Sequence, residues 1–327
     1  MATIHAENLS RHDDALVSVV VDPDHDAATA LARKVQSDIE PTLEGALERR
    51  NVEAVVIASP TQTHAPYIEL CVILGILVFC EKPIDLSLDR VDACLSVVAD
   101  HSTPVLIGFH RRFDEARVEV WKIVQSGSLG SIEHISQISR DPRLPPRSFL
   151  QHSGRLIRDM VIHDLDELVW LVGKRPVTVY AELRRYVDDD LAAIEDYDTA
   201  AITVSIDDGP QCHISASRRA VYGFDQRIEV FGSEGIVQCL NPSISIIERA
   251  DDKGFQRGRL LEHFPVRYAN AYRSEMNHFV DIVRGRAKPL CTAWDARKSL
   301  ALAEAVIQSH NSGTPIRVLS LSHGDAN

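Results

Sequence analysis

The chain has 327 residues, of which 45% are apolar and 25% charged, and carries a formal net charge of −12 from 35 basic and 47 acidic side chains. These values fit two globular domains and exclude a disordered chain, a collagen-like repeat or a mini-protein held by disulfides. The acidic balance repels phosphate backbones, so nucleic acid is excluded as a main partner.

Residues 1–12 are predicted helical, with no basic stretch followed by an apolar one that would read as a secretory signal. Residues 16–21 are a β-branched strand that meets a turn at Asp22-Pro23, and 27–35 are helical. Residues 52–58 form a second strand, stopped by Ser59-Pro60, and 64–74 a helix closed by Gly75. A third strand, 77–80, ends at Glu81-Lys82-Pro83; a helix over 88–99 and a strand over 104–107 follow. These strands have few polar interruptions, as expected when helices cover both faces of a parallel, doubly wound sheet. The most apolar run, 71–80, is about half the length that spans a bilayer, so no membrane partner is expected.

The later part differs. After a helix at 114–125 come strand-like runs at 132–139, 177–183, 199–206, 212–217, 227–230, 236–239 and 244–248. Turns such as Asp208-Gly209 separate some of them, which indicates a large, mostly antiparallel sheet. Helices are expected at 155–172, 270–283 and 296–310. The fold class is therefore α/β, with a doubly wound parallel domain over 1–112 and a second α/β domain over 113–327. Six cysteines stand singly, with no C-x-x-C pair. They read as reduced thiols of a cytoplasmic protein, not as a disulfide framework or a zinc site.

Four places carry candidate chemistry. Asp22 ends a strand where a dinucleotide fold places the carboxylate that binds the adenosine ribose, or it simply starts a turn. Ser59, Thr61 and His64 form a small polar loop at a strand end, which suits a ligand or a plain helix cap. Lys82, after Glu81, falls at the edge of a buried strand, where its ammonium can stabilise a developing alkoxide; the alternative is a surface turn. Asp159 and His163 are four residues apart on one predicted helix, a spacing for a general base with an orienting carboxylate or for a surface ion pair. Asp166 and Trp170 continue that stripe, while Val161, Leu165, Leu168 and Val172 form an apolar one. No third ligand supports a metal reading. No G-x-G-x-x-G loop occurs, and residues 1–12 read like the helix after such a loop. An upstream extension encoding an apolar strand and that loop is expected.

Four motifs then occur in order: Val-Ile-Ala-Ser-Pro-Thr-Gln-Thr-His at 56–64, Phe-Cys-Glu-Lys-Pro at 79–83, Gly-Phe-His-Arg-Arg-Phe-Asp at 108–114 and Asp-Met-Val-Ile-His-Asp-Leu-Asp at 159–166. Together they resemble the glucose–fructose oxidoreductase/inositol dehydrogenase (Gfo/Idh/MocA) family, the inositol 2-dehydrogenase branch most. The resemblance implies oxidation of a secondary hydroxyl on a cyclic polyol with NAD, in preference to NADP. An aldose dehydrogenase or a non-catalytic, ligand-sensing or truncated homologue is the alternative. By motif match, Lys82, Asp159 and His163 take the catalytic positions. Asp22, Ser59, Thr61, His64, Glu81 and Lys82 take cofactor positions, and Arg111, Tyr222 and Tyr268 join the catalytic residues in the substrate pocket. A homo-oligomer, dimer or tetramer, formed through the C-terminal sheet is also implied. Ser153-Gly154-Arg155 stands where the family has a Gly-Gly pair, and His110 where it has Asn or Met.

Overall fold

In the computed structural model, which describes residues 1–48 and 52–318, the chain begins with helix α1 (Ala2–Leu9). Strand β1 (Val19–Val21) leads to α2 (His25–Val35), where Asp24 caps the helix by accepting from the N–H groups of Asp26 and Ala27. The structure then adds β2 (Asp38–Glu40) and α3 (Leu43–Leu47), elements too short for a period to show in the sequence. Next come β3 (Ala54–Ile57), α4 (His64–Ile73), β4 (Leu77–Glu81), α5 (Leu88–Ala99) and β5 (Val105–Gly108). Gly75 ends the α4 region at φ +72°, a conformation that a side chain would strain.

These strands are parallel, as expected. They form a two-stranded sheet, β1-β2, and a three-stranded sheet, β3-β4-β5. Every residue of β5 is buried, and so is β4 from Val78 to its end, which is why both read as unbroken apolar runs.

The next elements are α6 (Glu115–Gln125), β6 (Ile132–Arg140), α7 (Arg147–Leu150) and a π-helical turn, Leu156–Val161, that runs into α8 (Ile162–Val172). Strands β7 (Pro176–Arg184), β8 (Thr199–Ile206), β9 (Gln211–Ser217), β10 (Asp225–Gly232) and β11 (Gly235–Cys239) follow. A separate hairpin, β12 (Glu248–Asp251) and β13 (Gly254–Arg257), precedes α9 (Phe264–Arg267), α10 (Ala269–Val283), α11 (Ala293–Ser312) and β14 (Ile316–Arg317). The large sheet has the order β11-β10-β6-β9-β8-β7-β14, and β6-β9 is its parallel pair. Along β8, Ala200, Ile202, Val204 and Ile206 face inward and pack with Leu165 and Leu168 of α8. Burying a leucine or isoleucine fully is worth roughly 1.5–3 kcal/mol, so this alternation holds the sheet to the helix.

Two expectations need correction. Residues 244–247 are not a strand: Ile244, Ile246 and Ile247 are exposed, and the strand there begins at Glu248. The apolar run has no ladder to join beyond one bridge between Ser243 and Leu260. The chain also does not leave its first unit for good near residue 112. It divides into one unit of 1–113 with 270–297, and a second of 114–269 with the residues from 298 onward. Arg297 Nη2 donates to Asp92 Oδ2 (2.9 Å), Arg112 Nη1 to the Leu290 carbonyl (3.1 Å) and the Ile107 N–H to the Cys291 carbonyl (3.0 Å). These bonds join the returning segment to α5, to β5 and to the turn that follows β5.

Among the described residues, no helix is long and apolar enough to cross a membrane. None of the six cysteines forms a disulfide and all are buried, and burial pushes the thiols of Cys71, Cys94 and Cys212 up to about 12.

Candidate active site residues

In the first unit, β4 ends at Glu81, so Lys82 falls at the carboxyl edge of a parallel strand, where doubly wound sheets hold ligands. Lys82 is half-buried and is joined to Pro83 by a cis peptide. Glu81 turns inward, and its Oε1 lies 2.6 Å from Nε2 of His5, a fully buried residue of α1. Burial pushes the Glu81 carboxyl up. The hydrogen bond and charge of His5, with the Lys82 ammonium, outweigh it and hold the group below its ordinary value. The His5 ring also packs edge-on against Phe79 and Tyr272, at centroid distances of 4.9 and 5.9 Å.

Glu275 of α10 lies in the same interior with no exposed surface, and neither carboxyl oxygen has a hydrogen-bond partner among the described residues. Burial, then the Glu81 charge, push it well above its ordinary value. Two buried carboxyls are thus shifted in opposite directions, because one has a hydrogen-bonded partner and the other, among the described residues, does not.

His64 opens α4 and is 2% exposed. Its Nδ1 lies 2.8 Å from the Pro83 carbonyl and its Nε2 2.8 Å from the Ser59 carbonyl. It ties the loop after β3 to the loop after β4 through both ring nitrogens. Ser59 and Thr63 hydroxyls are 2.5 Å apart, and Thr61 starts the 3-10 turn between them. Asp22 follows β1 half-buried, with Oδ1 accepting the Asp24 N–H at 2.9 Å. Arg111 is buried on the 3-10 turn His110–Phe113.

In the second unit, Asp159 lies in the π-helical turn and His163 in the first turn of α8; both are half-buried. Val161, Leu165 and Leu168 are fully buried, as the apolar stripe predicts, and Leu171 joins them in the core where Val172 was expected. Asp166 does not extend an open stripe from His163: it is 1% exposed and accepts the Ser299 hydroxyl at 3.1 Å. Trp170 stacks on Trp121 at 5.7 Å. The π turn starts at a strained point. Arg155 has φ +61° and ψ −163°, a region that glycine favours. Gly154 before it cannot carry a side chain, since a Cβ would lie 2.7 Å from the Arg158 backbone.

The Tyr222 hydroxyl donates to Asp225 Oδ2 (2.7 Å) and accepts from Arg140 Nη1 (2.9 Å), with the residue 44% exposed. Tyr268 is 1% exposed, lying beneath the Arg267 guanidinium and edge-on to Phe224. Two buried charged residues beside Asp159 escaped the sequence reading: Asp196 and Arg218, 2.8 Å apart. Their signal is the strand phase. Arg218 continues the inward series Cys212, Ile214, Ala216, and Asp196 precedes the inward series Ala200, Ile202, Val204 in step. Among the described residues, no cluster of three or more metal-ligating side chains forms.

Comparison with known proteins finds two family matches: the oxidoreductase family with an NAD-binding Rossmann fold over residues 1–109, and the GFO/IDH/MocA C-terminal domain over 118–238. The inositol 2-dehydrogenase of Rhizobium meliloti (strain 1021) is 39% identical over 306 residues, covering 94% of this chain and 92% of that protein. The crystal structure of a myo-inositol dehydrogenase from Corynebacterium glutamicum ATCC 13032 matches with a TM-score of 0.92 and 31% identity, over 97% of this chain and 96% of that one. The scyllo-inositol dehydrogenase from Lactobacillus casei, solved with bound NAD(H) and scyllo-inositol, matches with a TM-score of 0.89 and 26% identity, over 97% and 96%.

The state of Glu275 sets a pH effect on stability. Its folded-state value is raised, so the folded protein holds a proton that the unfolded chain releases above the ordinary glutamate value of 4.5. From there upward, until the folded group itself ionises, this site costs stability as pH rises, by at most about 1.4 kcal/mol per pH unit. Glu275→Gln, which carries no titrating proton, is expected to remove that slope. Urea unfolding of both proteins between pH 5 and 8 measures it, and parallel stability curves would contradict the assignment.

Proposed function

The chain belongs to the GFO/IDH/MocA family of NAD-binding oxidoreductases, and on that premise we propose that it is an inositol dehydrogenase. It oxidises a secondary hydroxyl of a cyclic polyol, with myo-inositol the first candidate and NAD the acceptor. The observation that carries this reading is the presence of Lys82, Asp159 and His163 at the motif positions of a chain similar to an inositol 2-dehydrogenase over 94% of its length.

When bound, NAD supplies the acceptor for the hydride. The first unit suits such a ligand: Asp22 stands at the end of β1, and His64 ties the loops after β3 and β4 together. Asp22 accepts from the hydroxyls of the adenosine ribose and repels a 2′-phosphate. Ser59, Thr61, His64 and Glu81 shape the loops beside the nicotinamide ribose. Lys82 donates to the substrate hydroxyl oxygen and stabilises its developing negative charge. His163 accepts the hydroxyl proton, and Asp159 orients the ring and stabilises the imidazolium. Arg111, Tyr222 and Tyr268 line the substrate pocket and offer polar groups to the remaining hydroxyls.

Two further proposals concern assembly and place. A dimer or tetramer forms through the outer face of the large sheet, where Tyr180 and Glu182 stand exposed beside Thr203 and His213. Six buried cysteines outside any disulfide support a cytoplasmic location.

Lys82→Ala and His163→Ala are each expected to lower kcat for myo-inositol oxidation by roughly 10²–10⁴-fold, the range for charge-stabilising and general-base groups. His163→Ala should leave NAD affinity unchanged. NADH formation followed at 340 nm reads the rate (a generic absorbance assay, on the order of minutes). A folded protein that forms no NADH with either myo- or scyllo-inositol would overturn the function. Asp22→Ser should narrow or reverse the preference for NAD over NADP, compared as kcat/KM; an unmutated enzyme that already prefers NADP sinks that role for Asp22. Light scattering should give the mass of two or four chains, and a single-chain mass would refute the assembly.

A further inference from the structure

Arg218 follows β9 and has no exposed surface. Its N–H donates to the Asp198 carbonyl at 2.8 Å, which holds the residue against the strand pair. In the guanidinium, Nη1 donates to Asp196 Oδ2 at 2.8 Å, while Nη2 lies 3.9 Å from Asp159 Oδ2. Neither Nη2 nor Nε makes a hydrogen bond among the described residues. Asp196 is also buried, and its Oδ1 accepts from the N–H groups of Leu156 (2.9 Å) and Tyr197 (2.8 Å). One carboxylate therefore fastens both the guanidinium and the first residue of the π turn on which Asp159 stands.

The charges explain the arrangement. Asp196 neutralises Arg218, so the guanidinium can remain buried, while its fork still presents a second donor edge. That edge faces Asp159, whose side chain is 23% exposed. A buried donor without an acceptor is costly, and a modest rotation of the Asp159 carboxylate satisfies it. A lysine, with its single point charge, does not offer two fixed edges to two carboxylates.

We propose that Arg218, anchored by Asp196, is a positioning residue for the dehydrogenase reaction: its Nη2 edge takes one oxygen of Asp159 and leaves the other aimed at His163. The inference rests on the reading of Asp159 as the partner of His163. Arg218 touches neither substrate nor cofactor in this role, and acts through Asp159.

A double-mutant cycle tests it in the full-length protein, with kcat and KM for myo-inositol, NAD affinity and melting temperature as readouts. Arg218→Lys keeps the buried charge beside Asp196 and is the variant that preserves the fold; Arg218→Gln, without the charge, is the second. Arg218→Lys is expected to lower kcat on the order of tenfold, with little change in KM or NAD affinity, and Arg218→Gln to lower it further. In an Asp159→Asn background the Arg218→Lys loss should disappear, because the oxygen it positions is already an amide's. If Asp159→Asn lowers kcat but Arg218→Lys does not, the inference is overturned and the role of Asp159 stands. If the two losses multiply, Arg218 is structural only and the inference falls. If Asp159→Asn itself leaves kcat unchanged, the reading of Asp159 fails first and takes this inference with it.

Discussion

The carboxylate of Asp196 is the point on which the arrangement around the π turn depends. Taking an aspartate out of water costs several kcal/mol, and only close partners return it. Asp196 has them on both oxygens, with the Arg218 guanidinium on one and two backbone N–H groups on the other. Removing one partner from such a pair typically costs about 3–5 kcal/mol, since the remaining charge stays buried. The same logic recurs two residues later. Asp198 accepts from the N–H groups of Tyr186, Val187 and Asp188 and from the Thr199 hydroxyl. Burial pushes its carboxyl up, and these bonds outweigh it and hold it below the ordinary value. Two acidic residues just before β8 therefore organise the π turn on one side and the loop after β7 on the other.

The first unit uses histidines for the equivalent work. His5 supplies the hydrogen bond that holds the Glu81 carboxyl below its ordinary value inside the fold, and His64 spans two backbone carbonyls from the loops after β3 and β4. Lys82 lies in sequence between Glu81 and Pro83, the residues these histidines bond, so the strand end that presents it is held from both neighbours. The contrast with Glu275 shows that a hydrogen-bonded partner decides the direction in which a buried carboxyl shifts.

Much of this was legible in the sequence, for reasons tied to particular residues. Strands buried on both faces, such as β4 and β5, show as apolar runs, and β8 and β9 show as alternation, because burial imposes those patterns. The four-residue spacing of Asp159 and His163 was visible; the π turn that carries Asp159 was not, since its extra residue per turn leaves no compositional mark. Residues 244–247 misled because apolarity alone does not supply a partner strand. Arg218 and Asp196 lie in phase with inward-facing residues, yet a charged side chain in that phase is usually assigned to a strand end in solvent. The partner that makes burial tolerable is 22 residues away, and a one-dimensional pattern does not show it.

The discontinuity of the first unit bears on how the chain matures on the ribosome. Its parallel strands are complete by residue 108, but Tyr272, Glu275 and Phe279, which fill its interior, belong to the segment 270–297. Everything between, including strands β6 to β11, emerges first. The earliest-made part of the protein must therefore wait with exposed apolar surface until nearly the whole chain has been synthesised, a delay on the order of tens of seconds at about 5–20 residues per second. That interval, more than equilibrium stability, sets where a nascent chain of this architecture depends on chaperones and where truncation products aggregate.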